Sequence, residues 1–132
     1  DVDTVLGLSD FGVNCLPGTD ETNGLYTLEN FKNMKPTSYF INIGRGLSVN
    51  EADLVTALQG KIIAGAGLDV FETEPLPATS PLWEMANVIL TPHSAGITPE
   101  YINRVINIFC ENLQAHLTHQ PLPNEGDKKK GY

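Results

Sequence analysis

The sequence predicts an α/β domain built on a parallel sheet. Three observations carry that reading: short apolar, β-branched or aromatic runs at residues 11–17, 38–43, 62–71 and 87–91, helical periodicities between the first three runs, and a turn or polar residue closing each one. Strands that alternate with helices pair in parallel, because the intervening helix carries the chain back to the starting edge.

Each element follows from local chemistry. Residues 11–17 read as a strand stopped by Pro17, and Gly18-Thr19-Asp20 after it is turn chemistry. Thr27 can cap a short helix whose apolar positions Leu28, Phe31 and Met34 share a face, ended by Lys35-Pro36. Residues 38–43 form the second strand and run into Gly44-Arg45-Gly46. Asn50 is the expected N-cap of a second helix, with Glu51 and Asp53 in its first turn and Leu54, Ala57 and Leu58 on one side, ending near Gly60. Residues 62–71 are almost entirely apolar or glycine, which suits a strand covered on both faces. After a proline-punctuated stretch from Pro75 to Pro81, residues 87–91 give a fourth strand ending at Pro92. Thr98 and Pro99 are the expected N-cap and first residue of a long helix, with Ile102, Val105, Ile106, Phe109, Leu113 and Leu117 as its buried stripe. From Pro121 on, proline, asparagine, glycine and charge predict a loose tail.

Composition narrows the class. With 132 residues, 41% hydrophobic, the chain is one ordinary soluble domain at most. No stretch approaches the roughly 20 apolar residues a membrane helix needs, and the N-terminus lacks a signal-peptide pattern, so no membrane partner and a cytoplasmic location are expected. Sixteen acidic against eight basic residues give a net charge of -8, which repels a phosphate backbone and argues against nucleic acid. Cys15 and Cys110 each sit among apolar neighbours and read as reduced core cysteines.

Ligands of open α/β sheets bind at the carboxyl ends of the strands, and here those ends carry Pro17, Arg45, Asp69 and His93. Arg45, flanked by glycines after an apolar strand, is either an exposed turn residue or a guanidinium forked onto a carboxylate. His93 alone would be structural. Beside a carboxylate such as Glu74 it would favour the protonated imidazole and become half of an acid/base pair. Together these residues point to a site for a small anionic carbonyl or alcohol compound. Two motifs are set aside: Gly65-Ala66-Gly67-Leu68-Asp69-Val70 has valine in the third glycine's place and opens no helix, and His116 with His119 lacks a further metal ligand at usable spacing, so no metal is expected.

The ordered motifs INIGRG (41–46), GLDVFETEP (67–75), SPLW (80–83) and NVILTPHSAG (87–96) closely resemble the D-isomer-specific 2-hydroxyacid dehydrogenases, a group that includes phosphoglycerate dehydrogenase, D-lactate dehydrogenase and glyoxylate/hydroxypyruvate reductase. The likeness spans residues 10–119. It implies the second half of a Rossmann-like doubly wound parallel sheet plus a C-terminal helix, and NAD(P)-dependent interconversion of a D-2-hydroxy acid with its 2-keto acid. Residue by residue, it implies that Arg45 binds the substrate carboxylate, that His93 is the proton donor in reduction, and that Glu74, the glutamate before proline, rather than Glu72 is its partner. Leu16, Pro17, Thr22, Ile43, Gly44, Arg45, Asp69, His93, Ser94, Ala95 and Gly96 would line the nicotinamide end of NAD or NADP, Asp69 towards the carboxamide. Gly44 stands where the family usually has alanine or serine.

The family's N-terminal substrate domain, its GxGxxG turn and its ribose selector have no counterpart in the sequence. Asp1 is therefore expected to be an internal position, residues 1–97 the C-terminal half of a dinucleotide-binding domain, and residues 98–132 a helix returning to an absent substrate domain, with a polar tail. The isolated chain is expected to be inactive, and the full-length form a homodimer without the regulatory domain of long phosphoglycerate dehydrogenases. The alternatives are an inactive fragment or an NAD-sensing binding module, as in family members that act as corepressors.

Overall fold

The computed structural model describes residues 1–130. Strands β1 (Phe11–Asn14), β2 (Tyr39–Asn42), β3 (Gly65–Leu68) and β4 (Val88–Leu90) form one sheet in that order, with every neighbouring pair parallel. Helices α1 (Val2–Leu8), α2 (Leu28–Asn33) and α3 (Glu51–Gln59) accompany them, and short 3-10 turns cover Gly46–Ser48 and Pro81–Glu84. Residues Asp1–Ala95 make one compact unit, and the chain from Gly96 on makes another.

The first unit is a sheet with a helical layer on one face. Alternation along the strands sends Gly12, Asn14, Phe40, Asn42, Ala66 and Leu68 towards α1, α2 and α3. Phe40 is fully buried there, its ring edge-on to Phe31 at 5.2 Å and tilted on Tyr26 at 5.1 Å. Asn50 caps α3 as expected, its side chain accepting from Asp53 N at 3.1 Å. At the start of α2, the Asn30 carboxamide oxygen accepts from both the backbone N–H and the hydroxyl of Thr27.

Several expectations need correction. The run at 62–71 is a strand only over Gly65–Leu68: the Lys61 turn displaces its start, and past Leu68 Asp69 keeps its N–H on Asn42 O at 3.0 Å while its carboxylate binds the segment after β4. Along β3 itself Gly65, Ala66 and Leu68 are buried and Gly67 half-buried, but on the other strands Phe11, Val13, Tyr39 and Ile89 point away from the helical layer and are exposed, with Phe11 and Tyr39 stacked at 5.7 Å. The strand expected over 11–17 ends at Asn14, whose own side chain accepts the Leu16 N–H. Helix α1 is additional. The Asp1 carboxylate caps it by accepting from Thr4 N at 2.8 Å, and Leu6 is its buried anchor above Gly12.

In the second unit, α4 runs from Tyr101 to Leu117 with Glu100 at its N-cap. Thr98 and Pro99 belong instead to a preceding turn, closed by Tyr101 N donating to Thr98 O. The expected buried stripe is exposed at Ile102, Val105, Ile106, Phe109, Leu113 and Leu117, since one helix and a polar tail supply no second layer within their unit. Both cysteines are free and exposed rather than core: Cys15 lies just past the end of β1, and Cys110 lies on α4.

Candidate functional site

Because all four strands run in parallel, the loops that follow them leave from one rim of the sheet. The loop after β2 holds Arg45. Its backbone is extended, and its side chain is exposed with Nη1 donating to the Gly44 carbonyl at 2.8 Å, which leaves most of the guanidinium's donors free for an anion. Gly44 and Gly46 are required for close approach. A Cβ on Gly44 would lie 2.7 Å from the Leu16 carbonyl oxygen, and one on Gly46 only 1.8 Å from that of Phe71. The arginine loop is thus wedged between the loop after β1 and the loop after β3.

His93 and Glu74 meet. Nδ1 of His93 lies 2.7 Å from Oε2 of Glu74, while the other carboxylate oxygen accepts the Phe71 N–H at 3.0 Å. The hydrogen bond with His93 is the main reason the Glu74 carboxyl is held below its ordinary range, burial opposing it and the Phe71 N–H and the His93 charge assisting. Glu72, the other acid of that stretch, is exposed, and its backbone N–H donates to Glu51.

Asp69 builds the His93 turn. Its carboxylate accepts from the Thr91 hydroxyl and from the backbone N–H groups of Ser94 and Ala95, each of the latter at 2.8 Å, and its carbonyl accepts from His93 N at 2.8 Å. Burial alone would raise this carboxyl, but the hydrogen bonds from Thr91, Ala95 and Ser94, with His93 nearby, hold it below the usual carboxylate value. The turn needs that support, since His93 sits at φ 51, in the left-handed region that few non-glycine residues occupy.

The remaining expected residues fall in two groups. Leu16, Pro17 and Ile43 present apolar surface at the ends of β1 and β2, with Ser94 and Ala95 on the turn after β4. Thr22 is spent inside its own loop, its hydroxyl donating to Pro17 O at 2.7 Å and accepting from Thr19 N. Gly96 opens the second unit. Among the described residues, no three His, Cys, Asp or Glu gather as metal ligands, and no helix is long and apolar enough to cross a membrane.

The sequence reading missed Thr91 and the buried trio Asn14, Asn42 and Ser48. A signal existed for the trio: carboxamides closing two otherwise apolar strands need partners, and a register that places Asn14 beside Asn42 supplies them. An apolar cavity of about 600 Å³ also opens beside the pair, walled by Glu74, Leu76, Trp83, Leu90 and His93.

Comparison with known proteins adds three findings. Residues 1–95 match the D-isomer specific 2-hydroxyacid dehydrogenase, NAD binding domain. Glyoxylate/hydroxypyruvate reductase B of Shigella boydii serotype 4 is 53% identical over 100 residues, 76% of this chain and 31% of that protein, so the chain spans about a third of the curated relative's length. Two solved structures superpose over 99% of the chain. A D-isomer specific 2-hydroxyacid dehydrogenase from Xanthobacter autotrophicus, in complex with NADPH and MES, has a TM-score of 0.92 at 40% identity over 53% of its own chain. An NADPH-dependent glyoxylate/hydroxypyruvate reductase from Sinorhizobium meliloti, in complex with NADP and sulfate, has a TM-score of 0.90 at 35% identity over 42% of its chain.

Proposed function

From the premise that this chain belongs to the D-isomer specific 2-hydroxyacid dehydrogenase family, we propose that its strand-end loops form the nicotinamide-side half of a site that interconverts a D-2-hydroxy acid and its 2-keto acid. The observation that carries this reading is the 2.7 Å contact between Glu74 and His93 at the rim where Arg45 is exposed. A positioned imidazole supplies or takes the proton at the carbonyl oxygen, a carboxylate on its Nδ1 orients it, and a guanidinium holds the substrate's carboxylate.

The residues fit a nicotinamide dinucleotide. Leu16, Pro17 and Ile43 offer an apolar surface for the ring, and an ionised carboxylate has about four acceptor sites, of which Asp69 uses three, leaving one for a carboxamide N–H. When bound, NAD(H) or NADP(H) supplies the hydride. The chain's own residues do the rest: Arg45 orients the keto acid, His93 delivers a proton to its oxygen, and Glu74 compensates the imidazolium before that proton leaves. Gly44, Ser94 and Ala95 complete the cofactor wall in this reading, and Thr22 contributes by shaping the Leu16–Pro17 loop.

The similar proteins, reductases of glyoxylate and hydroxypyruvate and complexes with NADPH or NADP, favour those two substrates and NADPH as the first cofactor to try. We further assign residues 1–97 to a dinucleotide-binding domain and 98–132 to a helix that packs on a substrate domain. The whole enzyme we take to be a cytoplasmic homodimer, readable by light scattering and cell fractionation. The test is reduction of both keto acids by NADPH and NADH in the protein as its gene encodes it. His93→Gln should lower kcat by about 10²- to 10⁴-fold, the loss expected for a general acid. An undiminished kcat would reject the assignment.

A further inference from the structure

Three polar side chains lie at the heart of the first unit, where the reaction chemistry does not require them. Asn14 and Asn42 are each 1% exposed and Ser48 0%, on the helix-covered face of the sheet. Each end of this cluster is satisfied. Asn14 Nδ2 donates to Asn42 Oδ1 at 2.8 Å and to Ser48 Oγ at 2.7 Å, and Ser48 Oγ donates to the Arg45 carbonyl at 2.7 Å. Asn42 Nδ2 also donates to that carbonyl, at 3.2 Å. The acceptors are used too: Asn14 Oδ1 takes the Leu16 N–H at 3.1 Å, and Asn42 Oδ1 takes the Gly44 N–H at 3.2 Å.

Packing alone does not call for this arrangement. Apolar side chains of similar volume would fill the same space without desolvating carboxamides, and replacing both partners of a buried hydrogen bond in that way is often nearly neutral. What apolar residues could not supply is where the hydrogen bonds go. Three of them leave the cluster for the backbone of the arginine loop at Gly44 and Arg45, and one for the backbone of the Leu16–Pro17 loop. These two loops already touch, since a Cβ on Gly44 would meet the Leu16 backbone at 2.7 and 3.0 Å. A network whose members have few spare hydrogen bonds behaves as one unit, so displacing one loop displaces the other.

We propose that Asn14, Asn42 and Ser48 are positioning residues that lock the nicotinamide-side loop and the Arg45 loop into one rigid body. Carboxylate recognition and cofactor contact are thereby mechanically coupled. The inference rests on the functional reading of Arg45 and Leu16 above, and its test separates the two.

In the protein as its gene encodes it, Asn14→Leu and Ser48→Ala are made alone and together with Arg45→Lys. Glyoxylate reduction by NADPH is followed, with NADPH Kd from fluorescence. Each single variant should lower kcat/KM by about tenfold, mainly through KM, and should weaken NADPH binding in parallel. Adding either change to Arg45→Lys should cost little more, because a fork already lost cannot be misplaced. Additive losses, or loss of kcat/KM with NADPH Kd unchanged, would overturn the coupling. Ser48→Ala removes one oxygen and overpacks nothing, so the test survives if Asn14→Leu fails to fold.

If the parent protein neither binds NADPH nor reduces the keto acid, the functional reading fails and amide exchange decides the positioning claim. Asn14→Leu removes the acceptor of the Leu16 N–H and leaves that of Gly44 in place. Faster exchange at Gly44 as well as at Leu16 would uphold the lock. Gly44 exchanging at the parent's rate would refute it.

Discussion

Glu74→Gln isolates the charge of the proposed acid/base pair while keeping its shape. In the parent, the carboxylate lies 2.7 Å from His93 Nδ1, with the two side chains 34% and 47% exposed, respectively. A charge-assisted hydrogen bond between buried groups contributes about 1.5–3 kcal/mol, but exposure and solvent screening reduce this one to about 1 kcal/mol. At about 1.4 kcal/mol per tenfold, that is about a fivefold loss of kcat/KM. Its origin is orientation: the carboxylate holds the ring by Nδ1, and the amide keeps the shape while losing the charge that strengthens that bond. Reduction and oxidation use the same ring, so both should lose by the same factor. The assay is kcat/KM for glyoxylate reduction with saturating NADPH between about pH 5 and 9, in parent and variant, together with cofactor Kd, which should barely change. A variant that keeps the parent's kcat/KM across that range would show that Glu74 does not act on His93.

Arg45→Lys should reduce kcat/KM by about one to two orders of magnitude, since an ammonium cannot reproduce a two-pronged guanidinium contact; steady-state kinetics with glyoxylate reads it, and near-normal values would make Arg45 a turn residue. Gly46→Ala should lower the urea midpoint and destabilise the unit by about 2 kcal/mol or more, because its methyl would overlap the Phe71 carbonyl oxygen and push apart the two loops that carry Arg45 and Glu74. Asp69→Asn loses the charge that three donors converge on, so kcat should fall more than tenfold as the His93 turn relaxes, while melting temperature falls by a few degrees, the consequence of about 1–3 kcal/mol of lost hydrogen bonding. Both Asp69 and Glu74 have carboxyls held below their ordinary values, so their stabilisation is full above the unfolded values of about 4 and is lost as pH falls further through the folded ones; urea unfolding from pH 7 to pH 3 should show that loss, and Asp69→Asn should shrink it.

How far the sequence could be read depended on the range of the forces involved. The strands over Tyr39–Asn42 and Val88–Leu90 and the helix over Glu51–Gln59 were legible because hydrophobic period, caps and breakers are local. Helix α1 was also locally encoded, with Asp1 as cap and Val2, Val5 and Leu6 at helical spacing, but seven residues at a chain end give a short signal. Residues 62–71 were misjudged for a different reason. Their composition fits a strand throughout, and the regular pairing with β4 stops at Leu68, past which the Asp69 carboxylate takes partners more than twenty residues further on.

The candidate site divides along the same line. Arg45 and His93 stood out because a charge beside glycines or at a strand end is costly unless it meets a partner, a cost visible in the residue itself, whereas Glu74 reads alone as a loop acid and only the family resemblance selects it over Glu72. The residues that hold them are visible only as pairs. Asn14 and Ser48 are 34 positions apart, and Thr91 lies 22 positions from the carboxylate it donates to. Each is unremarked until register and crossover bring it to its partner. The chemistry of the rim is therefore written in single residues and its geometry in long-range pairs. A substitution in the second set should move KM, cofactor affinity and loop exchange together, where one in the first set removes a single chemical step.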